Sequence, residues 1–269
     1  MYNAFYIADI VSKNTTKHSK PNNNTIPLYN LANLSKYTIF TIATMDWLMH
    51  YRHSSKQYMR VLHSYYEDYK AKSHDIYGKG FANWLSLGAK WYRVDYEADV
   101  AIWSSVIANK INNMRELKRV LSKIVRATSN TIPALRSAEM ICTTIYHINK
   151  RKTKNQILKY LEKHYNYTPC NNLDKYIENF QFTTNAYENT EACLNCYFLT
   201  NSTKEALHTS LQFNYNRELI STTSSILAEA DHNDVPEELI THYYKKLPTK
   251  YKNIIQKFKR FNYDKLTKR

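Results

Sequence analysis

The sequence predicts an all-α fold, and three observations support that prediction. Apolar residues recur at helical spacing in several segments, and sustained alternation of the β type is absent from the 269 residues. Two capping boxes mark helix starts, "TKNQ" from Thr153 and "STKE" from Ser202. The chain also has only three glycines, too few for folds that need many glycine turns. We therefore expect one all-α domain, residues 1–269, of about ten helices.

The predicted elements follow in order from the N-terminus. Residues 1–12 indicate a short helix, and the stretch 13–36, with two prolines, indicates a polar loop. From Tyr37 the pattern is helical almost throughout, and "IENFQFTTN" at 177–185 is the one stretch that suggests an extended segment. Three prolines occupy expected first turns of helices: Pro133, Pro236 and Pro248.

Two predicted helices are amphipathic and basic. In "NNMRELKRVLSKIVRAT" the apolar residues fall on one helical stripe, and five Lys or Arg residues cover the rest of the surface. The C-terminal stretch 250–269 carries eight Lys and Arg residues interleaved with Tyr and Phe. That stretch could bind phosphates and stack unpaired bases. It could equally dock on the bundle through its apolar residues, Ile254, Ile255, Phe258 and Phe261, with the cations in water.

The composition limits the classes of function. The net charge is +15, from 38 basic and 23 acidic residues, which favours anionic partners. The abundance of Lys, Asn, Tyr and Ile is typical of AT-rich genomes, so coding bias could supply part of the charge. Such compact chains are often carried by phages and other parasites, which suggests interference with a host pathway. The three glycines form no phosphate-binding loop of the GxGxxG or GxxxxGK[ST] type.

The cysteines and the N-terminus indicate a protein of the cytoplasm. Four cysteines are too few for a disulfide framework, and the pair Cys193 and Cys196 lacks the second ligand pair that a zinc site needs. We interpret this pair as two small apolar residues on one helix face. No run of 18 apolar residues occurs, and the N-terminus does not have the pattern of a signal peptide. We expect a soluble protein, in the host cytoplasm if it is viral, that does not bind membranes.

Four segments occur in the same order as the motifs of a known protein family. "AFYIADIVS" at 4–12 matches an opening G-A-x-I-G-D-A-L-G run without its glycines, and "YTIFTIATMDWL" at 37–48 has the frame of a T-D-D-T helix start. "YGKGFANWL" at 77–85 keeps a Y-G-G-G-F-x-x-W-L element nearly intact. "ILAEA" and "VPEEL" place residues 211–239 over a G-G-D-S-D-T segment and the helix after it. This order resembles the ADP-ribosylglycohydrolase family, of the dinitrogenase-reductase-activating glycohydrolase type.

The resemblance extends over almost the whole chain but is incomplete. The family's N-G-x-x-M-R segment is not recognisable at 98–103, and Ser129 replaces a histidine that follows the retained Thr128. For the fold, the resemblance implies a single compact bundle of helices that cross at steep angles.

The resemblance also implies a metal site that this chain has altered. Family members typically bind two Mg²⁺ ions through the T-D-D and D-x-D-T segments, and the metals orient a ribose while water attacks its anomeric carbon. Here Ile39 and Phe40 replace the first two aspartates, and Asn216 and Glu218 replace the other two, while Leu219 replaces a threonine. Mg²⁺ requires oxygen ligands, and two close cations require several negative charges. We therefore predict no metal site and no cofactor.

The positions that match the family's cleft form the predicted ligand-binding set. It comprises Thr38, Phe40, Tyr77, Gly78, Gly80, Phe81, Asn216, Arg217 and Glu218. Glu218 is the one candidate catalytic residue, as a general base, and the alternative is that it complements the dipole of its helix. Gly78 and Gly80 could border a ligand or serve only the turn.

Three functions remain open from the sequence. The first is a catalytically degenerate binding protein, a pseudoenzyme, that binds an ADP-ribose-like ligand or a macromolecule. The second is a residual ADP-ribosyl hydrolase that uses Glu218. The third is a basic nucleic-acid-binding protein that uses Lys257, Lys259 and Arg260, a surface that would also suit an anionic protein.

Overall fold

The structure is a computed structural model that describes residues 2–15, 21, 25–30, 34–50, 54–77, 79–88 and 97–265. Within these ranges it contains α-helices and short 3-10 turns and no β-strand, so the all-α prediction is confirmed. The α-helices are α1 (Ala4–Asn14), α2 (Lys36–His50), α3 (Ser55–Glu67), α4 (Ser73–Tyr77), α5 (Lys79–Ser86), α6 (Asp99–Ser104), α7 (Met114–Thr128), α8 (Ile132–Asn149), α9 (Lys154–Tyr165), α10 (Leu173–Asn179), α11 (Ala186–Phe198), α12 (Thr203–Ser210), α13 (Arg217–His232), α14 (Glu237–Tyr244) and α15 (Thr249–Arg260).

The described residues thus form fifteen α-helices, where the sequence predicted about ten. The difference lies largely in short elements such as α4, α6 and α10, which have five to seven residues each. One or two helical turns contain too few apolar positions to establish a period of 3.6 residues. The segment 177–185, which suggested an extended segment, is not a strand: residues 177–179 end α10, and 180–185 are irregular and join α10 to α11.

The helix starts agree with the capping signals in part. At α9, Thr153 and Gln156 form the full predicted capping box. At α12, the Ser202 side chain accepts from the Glu205 N–H, but the Glu205 carboxylate accepts instead from the backbone of residue 201, at 2.7 Å. Pro133 lies in the first turn of α8, as predicted. The other two prolines, Pro236 and Pro248, are N-cap residues that precede α14 and α15.

Helix α13 lies at the centre of the bundle. Its residues from Leu219 to Ala230 are all buried, and it packs against α1, α8, α11 and α12. The small side chains of the segment "STTSS" at 221–225 allow these neighbours to approach closely. The carboxylate of Glu229 is buried and accepts from the backbone N–H groups of Tyr2, Asn3 and Ala4 at 2.9–3.2 Å. It therefore ties the N-terminus of α1 to α13.

Helix α2 is the second central helix. It packs against α1, α3, α6 and α15, and its apolar residues from Tyr37 to Leu48 are buried. Helix α15 docks on α2 through its buried apolar residues, which are Tyr251, Ile254, Ile255 and Phe258. The Lys and Arg residues at its end, Lys257, Lys259 and Arg260, are exposed. Docking through the apolar residues was one of the two expected roles of this stretch, of which residues 266–269 lie outside the described part.

The loop between α1 and α2 packs partly against α14. Its described residues lie between Asn14 and Lys36, close to the predicted loop boundaries of 13–36. The Tyr243 hydroxyl donates to the Pro27 carbonyl at 2.6 Å and accepts from the Tyr29 N–H at 3.0 Å. None of the described helices has the length and apolar character needed to span a bilayer.

Candidate functional site

A cleft of about 670 Å³ opens where the N-termini of α2 and α13 approach the C-terminus of α1 and the α4–α5 pair. Its lining includes six residues of the predicted ligand-binding set, which are Tyr77, Gly80, Phe81, Asn216, Arg217 and Glu218. The fold thus brings together two sequence segments about 140 positions apart. Gly78, also in the predicted set, lies outside the described residues.

Thr38 lies beneath the cleft and does not line it. Its hydroxyl donates to Asp9 Oδ2 at 2.5 Å, and Asp9 also accepts from the Ser35 hydroxyl at 2.5 Å. The same carboxylate accepts from the backbone N–H groups of Ser35 and Thr38 at 3.0 and 3.3 Å. Asp9 therefore caps α2 from α1, and these hydrogen bonds occupy the Thr38 hydroxyl. Burial raises the pKa of Asp9, while its hydrogen bonds act in the opposite direction.

Phe40 was also predicted to contact a ligand, but it is fully buried under the cleft. Its ring stacks on Tyr77, with centroids 5.3 Å apart and an angle of 14° between the planes. The rings of Phe81 and Trp103 lie 5.2 and 5.7 Å away. Phe40 therefore supports the aromatic wall that Tyr77 and Phe81 present to the cleft.

The start of α13 is held by hydrogen bonds to its own surroundings. Asn216 has a left-handed backbone with φ of 51°, and its amide donates to Thr183 O and Asn189 Oδ1, both at 2.7 Å. Its Oδ1 atom is buried without a hydrogen-bond partner. Arg217 donates to the backbone carbonyls of Thr15 and Phe213 at 2.5 and 2.8 Å, and burial lowers its pKa. Asn216 and Arg217 thus shape the cleft more than they offer free groups to it.

Glu218 has no hydrogen bond or ion pair with any other residue in the described part of the chain. Desolvation raises its pKa, and the negative charge of Asp9 raises it further, while Lys13 and Lys36 oppose the shift. Lys36 pairs with the buried Asp99 at 2.6 Å, and Asp99 also accepts from the Tyr37 hydroxyl at 3.1 Å. Glu218 is therefore a partly shielded carboxylate that a ligand or proton could reach.

Three cations at this cleft, Lys13, Lys36 and Lys79, were missed by the sequence reasoning. Lys13 lines the cleft at the end of α1 and donates to the carbonyls of Leu34 and Asp75 at 3.3 and 3.1 Å. Lys36 lies at the start of α2, and its ammonium is 5.7 Å from the Phe81 ring centroid. The available signal was the position of Lys36 just before the segment that matches T-D-D-T. No motif distinguishes Lys13 from other lysines in the sequence.

The charges lining the described part of the cleft favour an anion. Four cationic side chains line it, Lys13, Lys36, Lys79 and Arg217, against the two carboxylates of Asp75 and Glu218. The aromatic wall lies on one side. A ligand that carries phosphate would find cationic contacts, and the buried rings of Tyr77 and Phe81 would bound it on the apolar side.

The donor groups do not fit a pair of Mg²⁺ ions. Ile39 and Phe40 have no side-chain oxygen and are fully buried, and the Thr38 hydroxyl is occupied by Asp9. Glu218 is the single carboxylate at the mouth of α13, and no cluster of three or more His, Cys, Asp or Glu residues suited to a metal exists among the residues described. Two adjacent divalent ions would lack both ligands and compensating charge.

Comparisons with known proteins bear on the fold. No protein-family model matches the chain, and no curated protein matches it. Among solved structures, one described as an "ADP-ribosylglycohydrolase-related protein complex" superposes with a TM-score of 0.59 and 12% sequence identity. The match covers 89% of this chain and 93% of that chain. At this identity the similarity concerns the fold, and we conclude that the chain has the all-α fold of an ADP-ribosylglycohydrolase-related protein.

Proposed function

We propose that this protein is a catalytically degenerate member of the ADP-ribosylglycohydrolase fold that binds an anionic, ADP-ribose-like ligand in the cleft without hydrolysing it. One observation carries the proposal. The cleft persists between the starts of α2 and α13, but hydrocarbon and aromatic side chains replace the carboxylates that a metal pair would need. A scaffold can keep its binding surface when its chemistry has gone.

The binding part of the proposal rests on the cations that line the cleft. Lys79 is exposed at the cleft and free to approach a phosphate, while Tyr77 and Phe81, 2% and 1% exposed, give the cleft an apolar wall. Isothermal titration with ADP-ribose should give binding that does not depend on added Mg²⁺. Lys79→Ala should weaken it about three- to tenfold, because one phosphate contact is lost. Lys163→Ala, an exposed lysine on α9, is the matched control and should bind as the parent does.

Glu218 supports a second candidate function, residual hydrolysis. Its raised pKa and its lack of a described partner are properties of a general acid or base. Incubation with ADP-ribosylated arginine or serine peptides and Mg²⁺ distinguishes the two functions. We expect no release of ADP-ribose, and we expect Glu218→Gln to bind ADP-ribose more tightly, since a negative charge leaves the cleft. Turnover that disappears in Glu218→Gln would replace the binding proposal with the hydrolase.

A further inference from the structure

The positive charge of the chain is concentrated on three helices. Helices α3, α7 and α15 carry twelve Lys and Arg residues against two carboxylates, Glu67 and Glu116. The rest of the sequence has 26 basic and 21 acidic residues, so these three helices hold two thirds of the net charge of +15. A coding bias toward lysine would spread the excess over the whole surface. The concentration of the positive charge on three helices therefore requires another explanation.

The three helices are neighbours. The Ser55 hydroxyl at the start of α3 donates to the Lys123 carbonyl near the end of α7, at 2.8 Å. At the other end of α3, the C-cap residue Asp68 pairs with Lys250 of α15 at 2.5 Å. Both α3 and α15 also pack on α2.

The third contact joins the end of α15 to the start of α7. The Tyr263 hydroxyl, just after α15, donates to Glu116 of α7 at 2.6 Å. Lys110, just before α7, donates to the Lys259 carbonyl at 3.2 Å. Helices α3, α7 and α15 therefore form one continuous surface, which we call the basic face. Among the described residues, none from these helices lines the cleft.

Much of the positive charge on the basic face is exposed and unpaired. On α7, Arg115, Arg119 and Arg126 follow one another at helical spacing on the side opposite the buried stripe. Arg119 is the paired member, since its Nε and Nη2 atoms donate to the Glu116 carboxylate at 2.6 and 2.5 Å. Within the described residues, seven exposed cations of the basic face have no acidic partner: Lys56, Arg60, Arg115, Arg126, Lys257, Lys259 and Arg260.

The basic face lacks the features that a protein partner or unpaired bases would require. Its aromatic side chains on α3 and α15 are buried, which are Tyr58, Tyr65, Tyr66, Tyr251 and Phe258. None of the large exposed hydrophobic residues of the described chain lies on these three helices. Protein interfaces usually need an apolar or aromatic centre, and single strands bind by stacking on aromatic rings. Charge without exposed rings suits a regular array of phosphates.

The dimensions agree with a duplex. Helix α7 has 15 residues, and at 1.5 Å per residue it is about 22 Å long. A DNA duplex carries one negative charge per about 1.7 Å of axis, so about thirteen phosphates occupy this length and roughly half face one side. The basic face as a whole carries seven unpaired cations, two of them on α7, so it could neutralise a comparable number of phosphates. We propose that the basic face of α3, α7 and α15 binds the phosphate backbone of double-stranded nucleic acid without reading its sequence.

Fluorescence polarisation with a labelled 20-base-pair DNA duplex tests the proposal. At 50 mM salt we expect saturable binding with a logarithmic salt slope of about −4 to −6, given −0.9 per phosphate contact. The face variant Arg115→Gln, Arg126→Gln, Lys257→Gln, Arg260→Gln removes four exposed charges. It should weaken binding at least tenfold and reduce the slope to about −2. The control variant Lys152→Gln, Lys159→Gln, Lys163→Gln, Lys204→Gln has the same net charge, also uses exposed positions, and should bind within twofold of the parent.

Circular dichroism and thermal melting establish that both variants fold like the parent. Equal losses in the face and control variants would show that net charge alone attracts DNA, and the basic face would be rejected. Tighter binding of a single-stranded oligonucleotide of matched charge would also overturn the proposal. So would competition by polyglutamate as strong as that by the duplex, since this would indicate an acidic protein partner. The absence of duplex binding at 50 mM salt would refute the proposal.

Discussion

The buried carboxylate of Glu229 should be a principal contributor to the stability of the cleft's scaffold. It accepts hydrogen bonds from three successive N–H groups at the N-terminus of α1, which have no partner within their own helix. Its negative charge also lies at the positive end of the α1 dipole. At its far end, α1 carries Lys13 and leads into Thr15, which both line the cleft. The substitution Glu229→Gln keeps the size of the side chain and removes its charge.

The expected loss of unfolding free energy follows from the hydrogen bonds that the Glu229 carboxylate accepts. A glutamine keeps one acceptor oxygen and turns an NH₂ group toward at least one backbone N–H. Each hydrogen bond to a charged group contributes about 1.5–3 kcal/mol, and a buried donor without a partner costs about 1–3 kcal/mol. We therefore expect Glu229→Gln to lower the free energy of unfolding by about 3–5 kcal/mol. Domains typically have about 5–15 kcal/mol in total, so the loss should be large.

Urea unfolding measured by circular dichroism provides the test. The midpoint should fall while the m-value stays constant, because the surface exposed on unfolding does not change. Glu162→Gln, an exposed position on α9, is the control and should change stability by less than about 0.5 kcal/mol. A loss below about 1 kcal/mol for Glu229→Gln would refute the account of α1 as a helix anchored by this carboxylate.

Three further predictions concern the cleft and the cysteines. Desolvation raises the pKa of Glu218 above its ordinary 4.5, so its stabilising effect is complete below that pH and is lost as pH rises through the raised value. Glu218→Gln should then be at least as stable as the parent at pH 7 in urea titrations, with no advantage at pH 4. Phe40→Ala should lower unfolding free energy by about 3–5 kcal/mol by leaving a cavity, whereas Phe182→Ala, 57% exposed, should have little effect in the same assay. A thiol reagent should modify the partly exposed Cys170 first, and the buried Cys142, Cys193 and Cys196 only on unfolding. Burial raises the pKa of Cys142 and Cys193 to about 12 and raises that of Cys196 as well.

The fold was predictable where the signals are local. The apolar stripe and the cations of α7 fix its buried and exposed sides, and the Thr153 capping box fixes the start of α9. The number of helices was not predictable, because α4 and α6 are too short to show a period. Their helical state depends on tertiary contacts, such as the aromatic packing around Tyr77.

The site was predictable as a location but not in its contacts. The resemblance to a family aligned Tyr77 and Glu218 with one cleft, and both residues line it. It could not show that Asp9 occupies the hydroxyl of Thr38, since that bond joins α1 to α2 across the core. The segment "ILAEA" served only to fix the register, although its Glu229 proves to anchor α1. A hydrogen bond between positions more than 200 residues apart leaves no periodic signal in one sequence.

The two apolar residues Ile39 and Phe40 at the start of α2 stabilise the fold in their own right. Two carboxylates at positions 39 and 40 would follow Thr38, which contacts the buried Asp9, and without bound cations the added negative charge would disfavour the folded state. Ile39 and Phe40 are instead fully buried, and each contributes about 1.5–3 kcal/mol through the removal of apolar surface from water. Phe40→Asp should therefore not create a metal centre. It would bury an unpaired charge beneath the aromatic wall and remove the ring on which Tyr77 stacks, so we expect it to destabilise the chain more than Phe40→Ala does.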